Sequence, residues 1–543
     1  MKKAFIGMAM LLCLCLYTGC GTQTDHDADR TESEETEEQE TEKEETEKET
    51  AEEPEENAQE EEKKEEKEEK GTETLQILTG SYYDYSYSEE LQQGLASLRY
   101  PMAKLGNEDK KEYPGLAEAL AHFSEEKQKS VMEGYQTLVE DAKSLADDPN
   151  VYLPFETTEK LYVRRADTHA VSLLNEGYYY GGGAHGFSYF ETANFDTETG
   201  KALELTDVVT DVNAIPELLT AQIEKFEDMD QLYADIGEIF DTEYETLKWT
   251  LDYHGITFYF EPYQLASYAY GPVIATITFA EHPELFSPAY MEVPESYSIE
   301  FSDAEPLYYD LDHDGEVDRL VASGVWSDAY MYEQQSISVN DTVHTEEIYG
   351  FEMEPVLIHA ADGNNYLYVQ NASENDHRSL AVYRILPDAV ELADVLDCGW
   401  NVDYEEEGSL ILKYVLTDPQ EFSLENRTDV LSTVTGLKQY SMGADGVPVS
   451  EQTAYLLEDE RYLTLLQPLD AEVIDEQTGE KIEDIRLETG TEVLYYRTDN
   501  ETFADLRLED ERVVRVFVDN TDWPILIHGT PIEEIFDGVM FAG

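Results

Sequence analysis

Residues 20–74 restrict the fold of this 543-residue chain more than any other segment. They consist mainly of Glu, Thr and Lys and contain almost no apolar side chains. Such a segment cannot bury enough apolar surface to offset the conformational entropy lost on folding. We therefore predict that residues 20–74 form a solvated acidic tether and that folded structure begins near Leu75.

The first twenty residues have the pattern of a secretion signal. Two lysines precede the apolar run Ala4–Leu16, which is shorter than the roughly 20 residues of a membrane-spanning helix. The Gly19-Cys20 pair after this run resembles the lipobox of bacterial lipoproteins. The resemblance implies a signal peptide at residues 1–19, a lipid on Cys20 and a place on the extracellular face of the cell membrane. The alternative is an ordinary signal peptide and a freely secreted protein.

The chain is strongly acidic beyond the tether as well. Its net charge is -86, and residues 71–543 alone carry 96 acidic and 26 basic side chains. Nucleic-acid binding is excluded on this ground, because phosphate contacts need a basic surface. A basic protein partner would be attracted, although plain solubility explains the charge equally well.

Cysteine usage excludes a disulfide scaffold. Removal of the signal peptide leaves only Cys20 and Cys398, and a lipid on Cys20 would leave Cys398 without a partner in the chain. Apolar burial must therefore stabilise the folded part, and we expect Cys398 itself to be buried rather than nucleophilic.

Apolar spacing predicts an α+β N-terminal domain, an antiparallel sheet with helices, at residues 75–300. Apolar residues three and four apart indicate a helix over Tyr113–Ala146, with one polar gap at Lys127. Two shorter helices are predicted at Ala214–Phe226 and Asp241–Leu251. Alternation or short apolar runs indicate strands, which we place within residues 161–180, 187–195, 254–260 and 272–279.

After Phe301 the pattern changes to short apolar runs between Asp, Gly and Asn turns. We predict a β-rich domain at residues 301–465 and a small β-rich module at residues 466–543. The module could be an SH3-like barrel. The predicted fold class is therefore a multidomain chain, α+β first and mostly β afterwards.

Two segments of the N-terminal domain carry a family likeness. One is Tyr178–Gly186 with its Gly-Gly-Ala-His-Gly string, followed by Asn194–Asp207 with an Asp-x-x-x-Gly-Lys turn; the other is Phe258–Gly271. Together they resemble the extracellular domain shared by the anti-sigma factor RsiV and the peptidoglycan deacetylase PdaC. In the anti-sigma factor the related domain senses lysozyme, and in the deacetylase it accompanies a separate catalytic domain.

The resemblance implies a domain type and not either whole function. A Cys20 anchor would leave no cytoplasmic segment to hold a sigma factor, and no Thr-Phe-Asp-Asp-like deacetylase motif is present. From the resemblance we expect that residues 75–300 bind either a protein of the cell envelope, for which a basic muramidase is a candidate, or a glycan of the cell envelope.

The glycine-rich string at residues 181–186 has two interpretations. In the functional one, the backbone at Gly182 and Gly183 approaches a ligand that Tyr180 and His185 contact. In the structural one, the glycines form a turn that requires positive φ, and His185 is a hydrogen-bonded structural residue. The string is not a phosphate loop, because no Gly-Lys-Ser/Thr follows it.

The sharpest motif is an acidic loop that could wrap a hard cation. Carboxylates occupy its first, third, fifth and ninth positions, a glycine the sixth, and the seventh would offer a backbone carbonyl. The predicted calcium ligands are Asp310, Asp312, Asp314, Glu316 and Asp318. Flanking strand patterns resemble the loops of β-rich extracellular repeats rather than a helix-loop-helix, and an acidic turn without metal is the alternative.

Signatures of enzymes are otherwise absent. The chain has no His-Glu-x-x-His, Gly-x-Ser-x-Gly or paired Cys-x-x-Cys motif. The leading hypothesis is therefore a non-catalytic surface lipoprotein that binds or senses an envelope ligand. The alternatives are an envelope hydrolase with its site near His185 and a purely structural surface protein.

Overall fold

The structure, a computed structural model, describes residues 71–303, 305–327, 331–373, 377–400, 402–403 and 411–541. The predicted signal peptide, Cys20 and nearly all of the tether lie outside these residues. The described residues belong to one compact unit, Lys67–Gly543. Within them, no helix combines the length and the apolar character needed to cross a membrane.

The N-terminal sheet begins with five strands that lie side by side in chain order. They are β1 (Ile77–Ser88), β2 (Gln93–Leu105), β3 (Phe155–Ala166), β4 (Ala170–Tyr180) and β5 (Phe187–Asp196). Neighbours are antiparallel except β2 and β3, which are parallel. A parallel pair needs a crossover connection, and two helices lie within it: α1 (Asp109–Glu112) and α2 (Pro114–Leu145).

Helix α2 confirms the helix predicted over Tyr113–Ala146. Pro114 stands at its start, where a missing N–H costs nothing. Its apolar stripe packs on one face of the sheet, and Tyr135 and Leu138 join Leu98 and Phe155 in a single buried cluster. The opposite face of β1 to β4 therefore stays free of this helix.

The next segment forms a small sheet covered by helices. Its elements are α3 (Leu205–Val208), α4 (Ile215–Phe226), α5 (Ile236–Glu243), β6 (Lys248–Leu251), β7 (Gly255–Phe260), β8 (Val273–Thr278), α6 (Pro288–Met291) and β9 (Tyr297–Glu300). Strands β6, β7 and β8 form an antiparallel meander. Apolar residues of α4, α5 and these strands share one core, which includes Leu219, Ile239 and Phe258.

The predicted helix Asp241–Leu251 is wrong in its second half. Helix α5 ends at Glu243, a single 3-10 turn follows at Tyr244–Thr246, and the chain then extends as β6. Trp249 and Leu251 pair with β7 across a tight hairpin, and both are buried. This tertiary pairing outweighs the helical spacing of the apolar residues.

Two sheets follow and share a core. Their strands are β10 (Leu307–Tyr309), β11 (Asp318–Trp326), β12 (Tyr332–Val339), β13 (Thr342–Glu346), β14 (Glu352–His359), β15 (Asn365–Ala372), β16 (Arg378–Leu386), β17 (Ala389–Leu396) and β18 (Gly399–Trp400). Strands β10 to β13 form one sheet, and β9 joins β14 to β17 in the other. Leu320 of the first and Leu367 of the second belong to the same buried cluster.

The last part of the chain is almost entirely β. Its elements are β19 (Val402–Asp403), β20 (Ile411–Tyr414), β21 (Phe422–Asp429), β22 (Thr433–Met442), β23 (Pro448–Val449), β24 (Tyr455–Leu465), β25 (Leu469–Ile474), β26 (Lys481–Leu487), β27 (Glu492–Thr498), β28 (Phe503–Arg507), β29 (Val513–Phe517), β30 (Leu526–Ile527), β31 (Thr530–Pro531), α7 (Ile532–Ile535) and β32 (Phe536–Asp537). Strand β20 returns to the N-terminal sheet and pairs with β1. The remaining strands from β21 to β29 join β18 and β32 in an eleven-stranded sheet. The observed architecture confirms the predicted fold class, α+β followed by mostly β structure.

Candidate functional site

The glycine-rich string forms the loop between β4 and β5, at one end of the N-terminal sheet. Gly182 has φ 85° and Gly183 has φ 156°. A Cβ at position 182 would lie 2.7 Å from the Phe155 ring, so this position needs glycine for space as well as for conformation. The predicted structural role of the glycines is therefore present, whatever else the loop does.

His185 is held in place on the surface of this loop. Its Nδ1 lies 2.8 Å from the carbonyl oxygen of Gly186, and its ring stacks on Tyr268 with centroids 3.9 Å apart and planes 23° apart. The Tyr268 hydroxyl donates to the same Gly186 oxygen at 2.9 Å. Two side chains that are 83 positions apart thus form one stacked pair around a single carbonyl, and the His185 residue is exposed.

Two further tyrosines extend this pair. The Tyr263 ring lies 5.8 Å from that of Tyr268 and is 55% exposed. The Tyr233 hydroxyl donates to the Tyr263 and Ala266 carbonyl oxygens at 2.7 and 2.9 Å. We call His185, Tyr233, Tyr263 and Tyr268 the His185 surface.

Tyr263 also carries backbone strain. Its φ of 77° lies in the left-handed region, which side chains other than glycine rarely adopt. Its N–H donates to the Ala266 carbonyl at 2.9 Å, which closes the tight turn around it. Strain of this kind costs about 1–3 kcal/mol and concentrates at functional surfaces.

The two side chains predicted to contact a ligand, those of His185 and Tyr180, lie in different environments. His185 lies in the stacked pair, while the Tyr180 hydroxyl lies 3.5 Å from the Gly183 carbonyl oxygen and its ring packs edge-on against Phe155. Sequence patterns did not single out Tyr233, Tyr263 or Tyr268 as contact residues. The available signal for two of them was their place in the second segment of the family likeness, Phe258–Gly271.

A polar cleft of about 360 Å³ lies beside the loop. Tyr178 links the two, because it lines the cleft and its ring lies across Gly186. On the far side of the cleft the Ser302 hydroxyl donates to the Glu176 carboxylate at 2.5 Å, and Lys160 lies 4.0 Å from Asp303. Burial raises the pKa of both the Glu176 and the Asp303 carboxyl.

The acidic loop lies between β10 and β11, outside this region. The carboxylates of Asp310, Asp312 and Asp314 converge, with one oxygen of each lying within 4.8 Å of the others. The buried Asp310 carboxylate accepts from the backbone N–H groups of Asp314 and Gly315 at 3.1 and 3.0 Å. Positive φ at His313, 59°, and Gly315, 95°, curls the chain around this carboxylate.

The other two predicted ligands have different partners. The Glu316 carboxylate lies 3.9 Å from Lys225 of α4. The Asp318 carboxylate accepts from the Leu311 N–H at 3.1 Å and from the Asn340 amide at 2.7 Å. Both residues nevertheless line the same cavity of about 460 Å³ as Asp312 and Asp314. The structure therefore places the carboxylates of three of the five predicted ligands close together. Glu316 would contribute its backbone carbonyl rather than its side chain.

Cys398 has the surroundings of a structural residue. It lies in an apolar cluster with Tyr368 and Leu380. Burial raises the pKa of its thiol to about 12, which leaves almost no thiolate near neutral pH.

Comparison with known proteins finds a family model that matches part of this region. Residues 206–280 match the family model "Protein of unknown function (DUF3298)". The comparison with curated proteins gave no match.

Two solved structures are similar in part. A DUF3298 family member from Bacteroides fragilis has 20% identity and a TM-score of 0.33, and covers 41% of this chain and 98% of its own. A DUF3298 family protein from Pseudomonas aeruginosa has 16% identity and a TM-score of 0.26, and covers 41% of this chain and 97% of its own. The residues that match the DUF3298 model, 206–280, include Tyr233, Tyr263 and Tyr268 of the His185 surface.

Proposed function

We propose that this chain is a lipid-anchored protein of the extracellular face of the cell membrane, which binds an envelope ligand through the His185 surface without transforming it. The observation that carries the proposal is the stacked His185–Tyr268 pair, fixed by two hydrogen bonds to one carbonyl. Rigid aromatic side chains with a polar tip lose little entropy on binding and are frequent anchors of interfaces.

The sequence resemblance and the charge favour a basic protein as ligand. The DUF3298 match is compatible with the sequence likeness to the extracellular domain shared by RsiV, in which it senses lysozyme, and PdaC. The net charge of residues 71–543 would attract a basic muramidase and accelerate its association. Cell-wall glycan is the other ligand consistent with this likeness.

The test is binding of the chain from Gly21 onward to immobilised lysozyme and to peptidoglycan fragments, at low and at physiological salt. We expect saturable binding that persists at physiological salt, and a decrease of about tenfold or more in affinity for His185→Ala, because interface anchors have effects of this size. His377→Ala is the matched control, since it removes another exposed histidine far along the chain. Wild-type protein that binds neither probe would contradict the proposal and leave a structural role at the cell surface.

We further propose that the acidic loop binds structural calcium. Carboxylate oxygens of Asp310, Asp312 and Asp314, with the Glu316 carbonyl and Asp318, are the hard oxygen ligands that calcium prefers. The metal would hold β10 and β11 together across the loop and offset the repulsion among the clustered carboxylates.

Isothermal titration with calcium tests this second proposal. Asp312→Ala removes one ligand and is expected to weaken calcium binding, whereas Asp522→Ala, an exposed aspartate of the C-terminal part, should leave it unchanged. Equal affinity of Asp312→Ala and wild-type protein would contradict the calcium site.

An envelope hydrolase is the second candidate function, favoured by the cleft beside Tyr178. Glycoside hydrolysis needs a carboxylic acid that stays protonated near neutral pH, and burial raises the pKa of Glu176 in that direction. A hydrolase would release reducing ends from peptidoglycan and lose this turnover in His185→Ala and Glu176→Gln. A binding protein has no turnover to lose in either variant.

A further inference from the structure

The face of the N-terminal sheet opposite helix α2 carries a row of exposed tyrosines. Tyr83, Tyr85 and Tyr87 alternate along β1 and are 60%, 45% and 48% exposed. Alternate residues of a strand point to the same side and lie roughly 7 Å apart. Their even-numbered neighbour Tyr82 packs towards the helix side with Tyr100 and Tyr135, so the row faces away from α2. We call Tyr83, Tyr85 and Tyr87 the tyrosine row.

A glycine of the neighbouring strand β2 and a glycine of the β4–β5 loop let tyrosine rings lie across this face. A Cβ at position 94, on β2, would lie 1.9 Å from the Tyr85 hydroxyl oxygen. A Cβ at position 186 would likewise lie 2.3 Å from the Tyr178 ring. Each ring therefore lies over backbone on one side, where a side chain would displace it.

Strand register joins the tyrosine row to the polar cleft. Tyr83 is opposite Arg99 of β2, Arg99 is opposite Thr158 of β3, and Thr158 is opposite Tyr178 of β4. Residues directly opposite each other have side chains on the same face. Arg99, Thr158 and Tyr178 all line the cleft. The row, the cleft and the end of the sheet that carries His185 thus form one continuous surface.

The lining of the cleft has two cations, Arg99 and Lys160, and four carboxylates, those of Glu156, Glu159, Glu176 and Asp303. Arg99 lies 2.9 Å from Glu352, Lys160 lies 4.0 Å from Asp303, and Ser302 donates to Glu176. The cleft therefore offers hydrogen-bond donors and acceptors without an excess of positive charge. An anionic polymer is disfavoured by this balance and by the net charge of -70 on residues 71–543.

We propose that the tyrosine row and the adjoining cleft bind an uncharged glycan chain. A pyranose ring has a C–H face that packs on an aromatic ring, whose face is electron-rich, and an edge of hydroxyls that needs donors and acceptors of both kinds. Three aligned rings and a cleft that offers both donors and acceptors match these two features. The row takes successive sugar rings, and the cleft takes the end of the chain. This inference rests on the proposed function, binding of an envelope ligand, and assigns its glycan ligand to a surface continuous with the His185 surface.

Calorimetric titration of the chain from Gly21 onward with oligomers of N-acetylglucosamine tests the inference. Replacement of all three tyrosines by Ala is expected to weaken binding about tenfold or more, because three stacking contacts are lost. Replacement of the three by Phe keeps the rings and should keep the affinity within about threefold. The matched control is Tyr349→Ala, which removes a tyrosine outside the N-terminal sheet that is 59% exposed.

The outcomes separate this inference from the proposed function. Wild-type protein that binds lysozyme but no oligosaccharide would overturn the glycan site and leave the proposed function in place. Oligosaccharide binding that is unchanged in the triple Ala variant, or that disappears at physiological salt, would also overturn it, since stacking of an uncharged ligand is not screened by ions. Binding of neither lysozyme nor oligosaccharide would overturn both.

Discussion

Two consecutive arginines, Arg164 and Arg165 of β3, are buried completely or almost so, which is uncommon for charged side chains. Arg164 donates to both carboxylate oxygens of Asp252, at 3.0 and 2.8 Å. Arg165 pairs with Asp167 at 2.8 Å and donates to the carbonyl oxygens of Tyr290 and Glu292. These contacts join the N-terminal sheet to the segment that precedes β9.

Asp252→Ala should destabilise the protein by about 3–5 kcal/mol, because it leaves the buried Arg164 guanidinium without its carboxylate. The substitution also removes the acceptor of the Thr257 hydroxyl. Urea unfolding measures the change in free energy. Asp484→Ala is the control, since its pair with Lys481 is exposed to solvent and contributes little to stability. A loss for Asp252→Ala as small as that of the control would contradict the importance of the buried pair.

At the scale of single residues, sequence predicts local sites better than distant ones. The ligand spacing in Asp310–Asp318 is short, so three carboxylates could be placed together from the sequence alone. The stack of His185 on Tyr268 joins residues from different elements, and no spacing rule connects them. The tyrosine row had a signal, the alternating tyrosines of Ser81–Ser88, but only the fold shows which face of β1 stays open.

Among the secondary-structure elements, helix α2 shows why a periodic pattern succeeds although one of its positions is polar. Lys127 interrupts the apolar stripe but is buried, where its ammonium lies 2.8 Å from Glu159 and also contacts Glu191. Burial alone would raise the pKa of Glu191, but Lys127 outweighs it and holds that pKa below its usual value. The polar gap in the sequence is thus an ion pair under the helix, and partners on β3 and β5 could not be inferred from the helix alone.

The turn after β5 fixes the start of the same helix. Gly200 has φ 67°, and a Cβ there would lie 2.2 Å from the carbonyl oxygen of Gly115. Gly200→Ala should therefore cost more than about 2 kcal/mol, from left-handed strain and from a backbone clash that separates the turn from α2. Thermal unfolding measures the effect.

Gly134→Ala gives a control of opposite sign. Gly134 lies inside α2, and a Cβ there would meet nothing within 4 Å. Alanine should stabilise the helix by about 0.5–1 kcal/mol. Equal effects of the two substitutions on the unfolding temperature would show that the Gly200 turn does not position α2.

In the whole molecule, the predicted order of α+β and β-rich parts was recoverable because it depends on local periodicity. How these parts pack against one another could not be predicted from the sequence, because it depends on contacts between residues far apart in sequence. Strand β20 pairs with β1 across more than 300 positions, from Leu78 opposite Tyr414 to Ser81 opposite Ile411. Neither strand carries a pattern that specifies the other.

Glu300 lies where these distant parts meet. Its carboxylate accepts from the Val163 N–H at 2.8 Å, and its carbonyl oxygen accepts from Arg164 at 3.1 Å. Lys413 of β20 lies nearby, 3.0 Å from Glu354. Burial raises the pKa of Glu300 from 4.5 to about 7, in spite of the opposing effects of Lys413 and the Val163 amide.

This shift makes the stability of the protein depend on pH. Below pH 4.5 Glu300 is protonated in both the folded and the unfolded chain, and its contribution to stability is fully present. As the pH rises towards 7, the unfolded chain releases the proton while the folded chain keeps it, so the free energy of unfolding falls. Above pH 7 the loss is complete.

Glu300→Gln cannot ionise and keeps an oxygen that accepts from Val163. Its stability relative to wild type should therefore increase by about 2 kcal/mol between about pH 5 and about pH 8, since one pKa unit corresponds to about 1.4 kcal/mol and Glu300 keeps some exposure. Urea unfolding at both pH values measures this difference. Burial also raises the pKa of Glu305 to about 7, but this residue contributes equally to the pH dependence of both proteins. Glu126→Gln, on the exposed side of α2, is the matched control. The stability difference between Glu300→Gln and wild type could instead be the same at both pH values. That result would mean that ionisation of Glu300 does not destabilise the folded protein, because Lys413 compensates its charge fully.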